Sequence, residues 1–160
     1  MNLLNGELDK LVSEGRNPKS VELDLSSTRE ILETINAEDG LVAGAVAREI
    51  APITAAVERI VAAFSAGGRL IYIGAAPDDS ADYDDALPDS LMFSWTAVEG
   101  AEDDPALGRA DLEAVNLSER DVVVGIAVSG RTPYVVGALE YAREIGADTV
   151  ALSCNPSSAI

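Results

Sequence analysis

Two short strand patterns, the nearly continuous apolar run Asp121-Val-Val-Val-Gly-Ile-Ala-Val128 and the mixed run Asp148-Thr-Val-Ala-Leu-Ser153, flank a helical pattern from Pro133 to Ile145 that Gly146 closes. The first of these, without polar alternation, suits a strand covered on both faces. A strand, helix, strand unit of this length joins parallel strands through a right-handed crossover. A third run, Arg69-Leu-Ile-Tyr-Ile-Gly74, follows Gly67-Gly68 and has the same character. The expectation is an α/β chain built on an open parallel sheet covered by helices, with helices leading and the sheet following.

The leading part reads as helical. Leu3, Leu4, Leu8, Leu11 and Val12 have mixed three and four spacings, and Gly15-Arg16-Asn17-Pro18 breaks that pattern. Ser27 with Glu30 forms a capping-box signature ahead of Ile31, Leu32 and Ile35. A longer pattern from Asp39 to Phe64, with a jog at Pro52, ends at Gly67-Gly68. Asp104-Pro105 predicts an N-cap and first helical residue, with a helix through Leu112 to about Val115. The division expected is a helical segment over 1–66 and a partial α/β domain over 67–160, one structural unit without internal repeats.

Charge and composition restrict the function classes. Eleven basic residues against 28 acidic give a formal charge of −17, so a surface gripping nucleic acid or anionic lipid would oppose the protein's own field. With no histidine in the chain, proton chemistry falls to carboxylates, Lys, Tyr or Cys, and carboxylates are the first suspects. Cys154 is the single cysteine, which fits a reducing compartment. It is expected as a small buried thiol beside a strand end. The first eleven residues, with Glu7, Asp9 and Lys10, do not read as a signal peptide, and no run suits a membrane span. A soluble cytoplasmic protein is the expectation.

In open parallel sheets, ligands sit beyond the carboxyl ends of the strands. That directs attention to residues 74–79, 129–133 and 153–158. In Ser129-Gly-Arg-Thr-Pro133, Thr132 reads as N-cap and Pro133 as the first helical residue. Free N–H groups and the helix dipole there favour an anion, Ser129 and Thr132 add hydroxyls, and Gly130 allows close backbone approach. An ordinary capped turn remains open as an alternative, and Arg131 could face a phosphate or a surface acid. Neither Gly-x-Gly-x-x-Gly nor Gly-x4-Gly-Lys-Ser/Thr occurs, which disfavours dinucleotides and nucleoside triphosphates. A small phosphorylated metabolite needs one such cradle, with Ser153, Asn155 and Ser157 beside it. Glu99, Glu102, Asp103 and Asp104 cluster around Gly100 ahead of a helix, either as chemistry or as solvated caps.

Eight segments in order carry a resemblance: Ser13-Glu-Gly-Arg-Asn-Pro, Ser26-Ser-Thr-Arg-Glu, Ile35-Asn-Ala-Glu-Asp, Gly67-Gly-Arg-Leu-Ile-Tyr-Ile-Gly-Ala, Ala97-Val-Glu-Gly-Ala-Glu-Asp, Asp121-Val-Val-Val-Gly-Ile-Ala, Ser129-Gly-Arg-Thr-Pro-Tyr-Val and Ser153-Cys-Asn-Pro. Together they closely resemble the N-acetylmuramic acid 6-phosphate etherases of the sugar isomerase (SIS) superfamily. The resemblance implies a three-layer α/β/α fold with a sheet left incomplete here. It also implies a cytoplasmic homodimer with its site near the subunit interface and a role in recycling cell-wall sugar. The substrate it implies is a phosphorylated amino sugar, and no metal or other cofactor is required. In that chemistry a base removes the C2 proton of the open-chain sugar, D-lactate leaves from C3 with help from an acid, and water adds back to give N-acetylglucosamine 6-phosphate. The second glutamate of the family's Glu-Gly-Ala-Glu-Asp motif falls on Glu102, and its phosphate loop on Ser129, Gly130, Arg131 and Thr132.

The chain departs from the family after Ala75. Where the family has a second phosphate loop, Gly-Thr-Ser-Gly-Arg, and then Leu-Asp-Ala-Ser-Glu-Cys-Pro-Pro with the other proposed acid/base glutamate, this sequence runs from Ala76-Pro-Asp-Asp to Phe93-Ser-Trp95. Pro77 removes a donor, and Asp78, Asp79, Asp82, Asp84 and Asp85 would repel a phosphate. The strand that precedes the Glu-Gly-Ala-Glu motif is expected to be missing, leaving central strands with unpaired edges. The expected alternatives to a lyase are a non-catalytic sugar-phosphate-binding module, or a shortened subunit that associates with a full-length partner through its helical segment.

Overall fold

The computed structural model describes residues 12, 15–75, 90–96, 100–155 and 158–160. The chain divides into two compact units, with the boundary between Ala55 and Ala56. The expected helix at residues 3–12 lies outside the described residues apart from Val12, as does the acidic stretch at 76–89.

In the first unit, a 3-10 turn at Pro18–Ser20 is capped by Asn17, whose Oδ1 accepts from the Lys19 N–H at 2.9 Å. Asn17 Nδ2 and Lys19 Nζ both donate to Glu38, each at 2.6 Å, and so fasten the turn to helix α1, Thr28–Arg48. The capping box at the start of α1 is present in both directions: Ser27 Oγ accepts from the Glu30 N–H, and Glu30 Oε2 accepts from the Ser27 N–H at 2.8 Å. The Ser27 hydroxyl also donates to Glu30 Oε2 at 2.6 Å, and this bond, with the one from the Ser27 N–H, holds the exposed Glu30 carboxyl below its ordinary range.

The helix boundaries differ from expectation. Helix α1 runs through residues 36–39 without interruption, and the break falls at Glu49, before helix α2, Ile50–Ser65. Pro52 supplies the reason, since it has no N–H to donate and its ring crowds the carbonyl four residues back, at Arg48. The jog therefore lies ahead of the proline and makes two helices of the expected one. No residue of α1 is buried, and Leu32, Ile35, Val42 and Val46 stand exposed along it. No single helix among the described residues is long and apolar enough to cross a membrane, although α1 and α2 together meet the length and composition.

The second unit is a parallel sheet with a helical layer on each face. Gly67 takes a left-handed φ of +75° and the Gly68 N–H returns to the Ala63 carbonyl at 2.8 Å, ending α2 as a glycine cap should. Strands β1, Leu70–Ala75, and β2, Leu91–Thr96, are followed by helix α3, Pro105–Ala114, strand β3, Val122–Ile126, helix α4, Pro133–Ile145, and strand β4, Asp148–Leu152. The sheet order is β2-β1-β3-β4, parallel throughout, with Leu70 opposite both Leu91 and Val122, and Val122 opposite Asp148.

The strand expected to be missing is thus present as β2. The run Leu91-Met-Phe-Ser-Trp-Thr96 is rich in apolar and aromatic residues, and such runs pair readily once a neighbouring edge is available. Central strands β1 and β3 are each paired on both sides, and among the described residues β2 and β4 stand at the ends of the sheet.

Period-two alternation places the layers. Ile71, Ile73 and Val123 face one cluster with Leu112 of α3 and Tyr134, Val135, Ala138, Leu139 and Ala142 of α4. Leu70, Val122 and Val124 face the other way, onto Ala63 and Ile60 of α2. This is the three-layer α/β/α arrangement. At the amino ends of the strands, buried Asp121 accepts from the Arg69 backbone N–H and Nη2 and from the Ser118 N–H, each at 2.8 Å. Burial raises the Asp121 pKa, but the Arg69 guanidinium and these N–H groups more than offset it and hold the carboxyl below its ordinary value.

Candidate functional site

The loops after β3 and β4 lie at the carboxyl edge of the sheet and are bound to each other. The Cys154 N–H donates to the Val128 carbonyl at 3.1 Å, and Asn155 Nδ2 donates to the carbonyls of Val128 and Ser129 at 3.1 and 3.2 Å. Asn155 is 6% exposed and its two bonds are partly buried, where water competes less for them. Ser153 Oγ accepts from the Asn155 N–H at 3.0 Å and lies 3.2 Å from Ser158 Oγ. The N–H groups of Ala159 and Ile160 both donate to the Gly130 carbonyl.

Gly130 sits at the centre. Its φ is +66°, a left-handed conformation that costs any side chain energy. A methyl group there would overlap Ser158 Cβ and come within 2.9 Å of Ser153 Oγ. The glycine is therefore required both by the turn and by the close approach of the residues after β4. On the other flank, Ser129 Oγ accepts from the Arg131 N–H at 3.2 Å. Thr132 is the N-cap of α4, as expected, but its hydroxyl makes no capping bond. The first N–H groups of a helix have no acceptor within it, so the loop presents an electropositive end to the carboxyl edge of the sheet.

The structure thus brings Ser129, Gly130, Thr132, Ser153 and Asn155 into one cradle, with Arg131 exposed on its rim. Ser158 also lies against it, a residue the sequence reached only as the last of the 153–158 loop and not as a site residue. Its signal was weak, a serine just past Asn155-Pro, and its place depends on the chain folding back over Gly130. Ser157 and Glu99 lie outside the described residues. Cys154 corrects the expectation of a buried thiol, since it is exposed. It occupies the turn after β4, at one end of the strand order among the described residues, with its N–H held by the Val128 carbonyl and its side chain turned to the open side.

Glu102 lies in a 3-10 turn, Ala101–Asp103, directly before α3, and is exposed. Asp104 caps α3 as the sequence predicts, its Oδ1 accepting from the Ala106 N–H at 2.8 Å. Helices α3 and α4 approach almost backbone to backbone at their first turns. A methyl group at Gly108 would overlap the Tyr134 carbonyl, and one at Gly137 would overlap the Pro105 carbonyl. The crossing carries the turn bearing Glu102 toward the end of α4 at which the cradle lies. Among the described residues, no group of three or more His, Cys, Asp or Glu is placed to hold a metal ion.

Residues 89–143 match the family model described as glucokinase regulatory protein N-terminal SIS domain. The chain is 48% identical to an N-acetylmuramic acid 6-phosphate etherase of Brucella anthropi, the match covering 98% of this chain and 57% of the relative. It is 50% identical to the etherase of Rhizobium rhizogenes over the same shares, and 47% identical to N-acetylmuramic acid 6-phosphate etherase 2 of Vibrio cholerae over 96% of this chain and 55% of that one. The chain therefore spans a little over half the length of these relatives. Among solved structures, the phosphoheptose isomerase of Neisseria gonorrhoeae superposes with a TM-score of 0.56 at 19% identity, covering 79% of this chain and 75% of that one, a likeness of fold. The etherase resemblance read from the motifs is borne out across the chain, and the SIS-like α/β fold with it.

Proposed function

We propose that this chain carries the chemistry of an N-acetylmuramic acid 6-phosphate etherase, a carbon–oxygen lyase that releases D-lactate and leaves N-acetylglucosamine 6-phosphate. The observation that carries the reading is the two-loop cradle around Gly130, in a sequence 46–50% identical to proteins bearing that name. In this reading Ser129, Gly130, Arg131 and Thr132 hold the 6-phosphate at the start of α4, and Ser153 and Asn155 shape the second wall. Glu102 exchanges a proton with the sugar, a carboxylate taking the part that histidine cannot in this chain. A non-catalytic sugar-phosphate-binding module is the second reading, favoured by the match of residues 89–143 to a SIS domain of a regulatory protein.

Both are tested together by calorimetry with N-acetylmuramic acid 6-phosphate and an assay of lactate release. Binding with release supports the lyase, binding alone supports the module, and neither result together with intact folding removes both.

We place the protein in the cytoplasm as a homodimer. Support for self-association comes from α2, whose Ile53, Val57, Val61 and Phe64 form an exposed apolar row apart from the side that meets the sheet. A helix apolar on two sides calls for cover on both. Light scattering should give twice the chain mass, and a monomer at micromolar concentration would remove the dimer.

A further inference from the structure

Three polar ties join α3 to α4 among the described residues, and they differ in place and burial. Arg109 stacks over the partly buried Tyr141 ring at 4.6 Å and meets exposed Glu144 at 3.0 Å, both towards the far end of α4. The third is the Tyr134 hydroxyl, which donates to Asp111 Oδ2 at 2.5 Å. Tyr134 is fully buried and is the second residue of α4, two residues after Thr132. Asp111 is half-buried on the helix that begins directly after the turn holding Glu102. This bond therefore links the element that presents the cradle to the element that presents the carboxylate.

We infer that the Tyr134–Asp111 pair is a positioning strut that sets where Glu102 stands relative to the Ser129–Thr132 loop; this rests on the etherase reading. Neither residue touches substrate. The cradle has its own supports in Asn155 and the bonds to Gly130, so losing the strut leaves phosphate binding in place. What changes is the distance across which Glu102 must reach the sugar. A shift of about 1 Å between reacting groups lowers turnover by about ten- to a hundredfold.

The test compares four variants of the full chain by lactate release. Tyr134→Phe keeps the ring and removes the donor; Asp111→Leu removes the acceptor. Asp111→Asn retains an oxygen that accepts from the phenol, and Glu144→Gln weakens the outer tie between the same helices. The expected result is a kcat about ten- to a hundredfold lower for the first two with KM within about twofold, no further loss when they are combined, and near-normal turnover for the last two. A purely structural pair would lower the melting temperature and leave kcat per folded molecule unchanged, which overturns the inference.

If the unaltered chain releases no lactate, the etherase reading fails by itself, and amide hydrogen exchange decides the strut. Tyr134→Phe should speed exchange at both residues 101–104 and residues 129–132, whereas Asp111→Asn should not. Unchanged protection at either end overturns the strut.

Discussion

Gly130 carries two constraints, a left-handed φ of +66° and the packing of Ser158 against its open side. Gly130→Ala should cost about 1–2 kcal/mol from the backbone alone, lowering the melting temperature by about 3–8 °C. The overlap with Ser158 should also part the two loops, so calorimetry should find binding of N-acetylmuramic acid 6-phosphate lost; binding within twofold of the parent would show that the cradle does not need this closure. Asp121 is the other residue with a sharp consequence, because Arg69 and Ser118 converge on it at the amino end of the sheet. Its folded-state pKa lies below its unfolded value, so the unfolded chain binds the proton first as pH falls. The stability it contributes is complete above the unfolded value of about 3.9 and is lost as pH drops through the folded one. Asp121→Asn should cost about 3 kcal/mol at neutral pH and flatten the acid limb of the stability profile, measured by urea denaturation from pH 7 to pH 3. An unchanged acid limb would assign that limb to other carboxylates.

At the level of elements, the crossing of α3 and α4 sets two local preferences against each other. Alanine is better than glycine inside a helix by about 1 kcal/mol. At Gly137, however, the added methyl meets the Pro105 backbone, which has no flexible end to move aside. Gly137→Ala should therefore destabilise by about 1–3 kcal/mol. Gly40→Ala on α1, where nothing lies within 4 Å, should stabilise by about 0.5–1 kcal/mol. Urea midpoints for the pair check the sign, and a more stable Gly137→Ala would mean the helices do not cross this closely. The same distinction explains how much was legible in the sequence. Caps at Ser27, Asp104 and Gly146, the three apolar runs and the start of α4 depend on neighbours in sequence, and their elements stand where the pattern put them. Strand β2 and the exposure of Cys154 depend on what lies alongside, whereas the break at Glu49 follows from Pro52 three residues on. In the cradle, Ser129 to Thr132 could be read from a strand meeting a capped helix, but Ser158 and the Tyr134–Asp111 bond join residues whose meeting only the fold decides.

The charge of the whole molecule acts against the ligand that the cradle suits. A formal −17 surrounds a site meant, in the proposed reading, for a sugar bearing both a phosphate and a lactyl carboxylate. Attraction comes from short range, through the start of α4 and Arg131, and a helix dipole fades within about one turn. Repulsion comes from charges spread over the chain and reaches about 30 Å at 10 mM salt but about 8 Å at 150 mM. Raising salt over that interval should remove most of the long-range term while leaving close contacts at the cradle nearly intact. The expected outcome is that kcat/KM for N-acetylmuramic acid 6-phosphate rises by about three- to tenfold from 10 to 150 mM sodium chloride, with kcat little changed, opposite to an enzyme that steers its substrate in. Steady-state lactate release at fixed pH measures it. A kcat/KM that falls with salt would mean that cationic groups at the site dominate the field the substrate meets, and that the acidic surface lies too far from the approach path to matter.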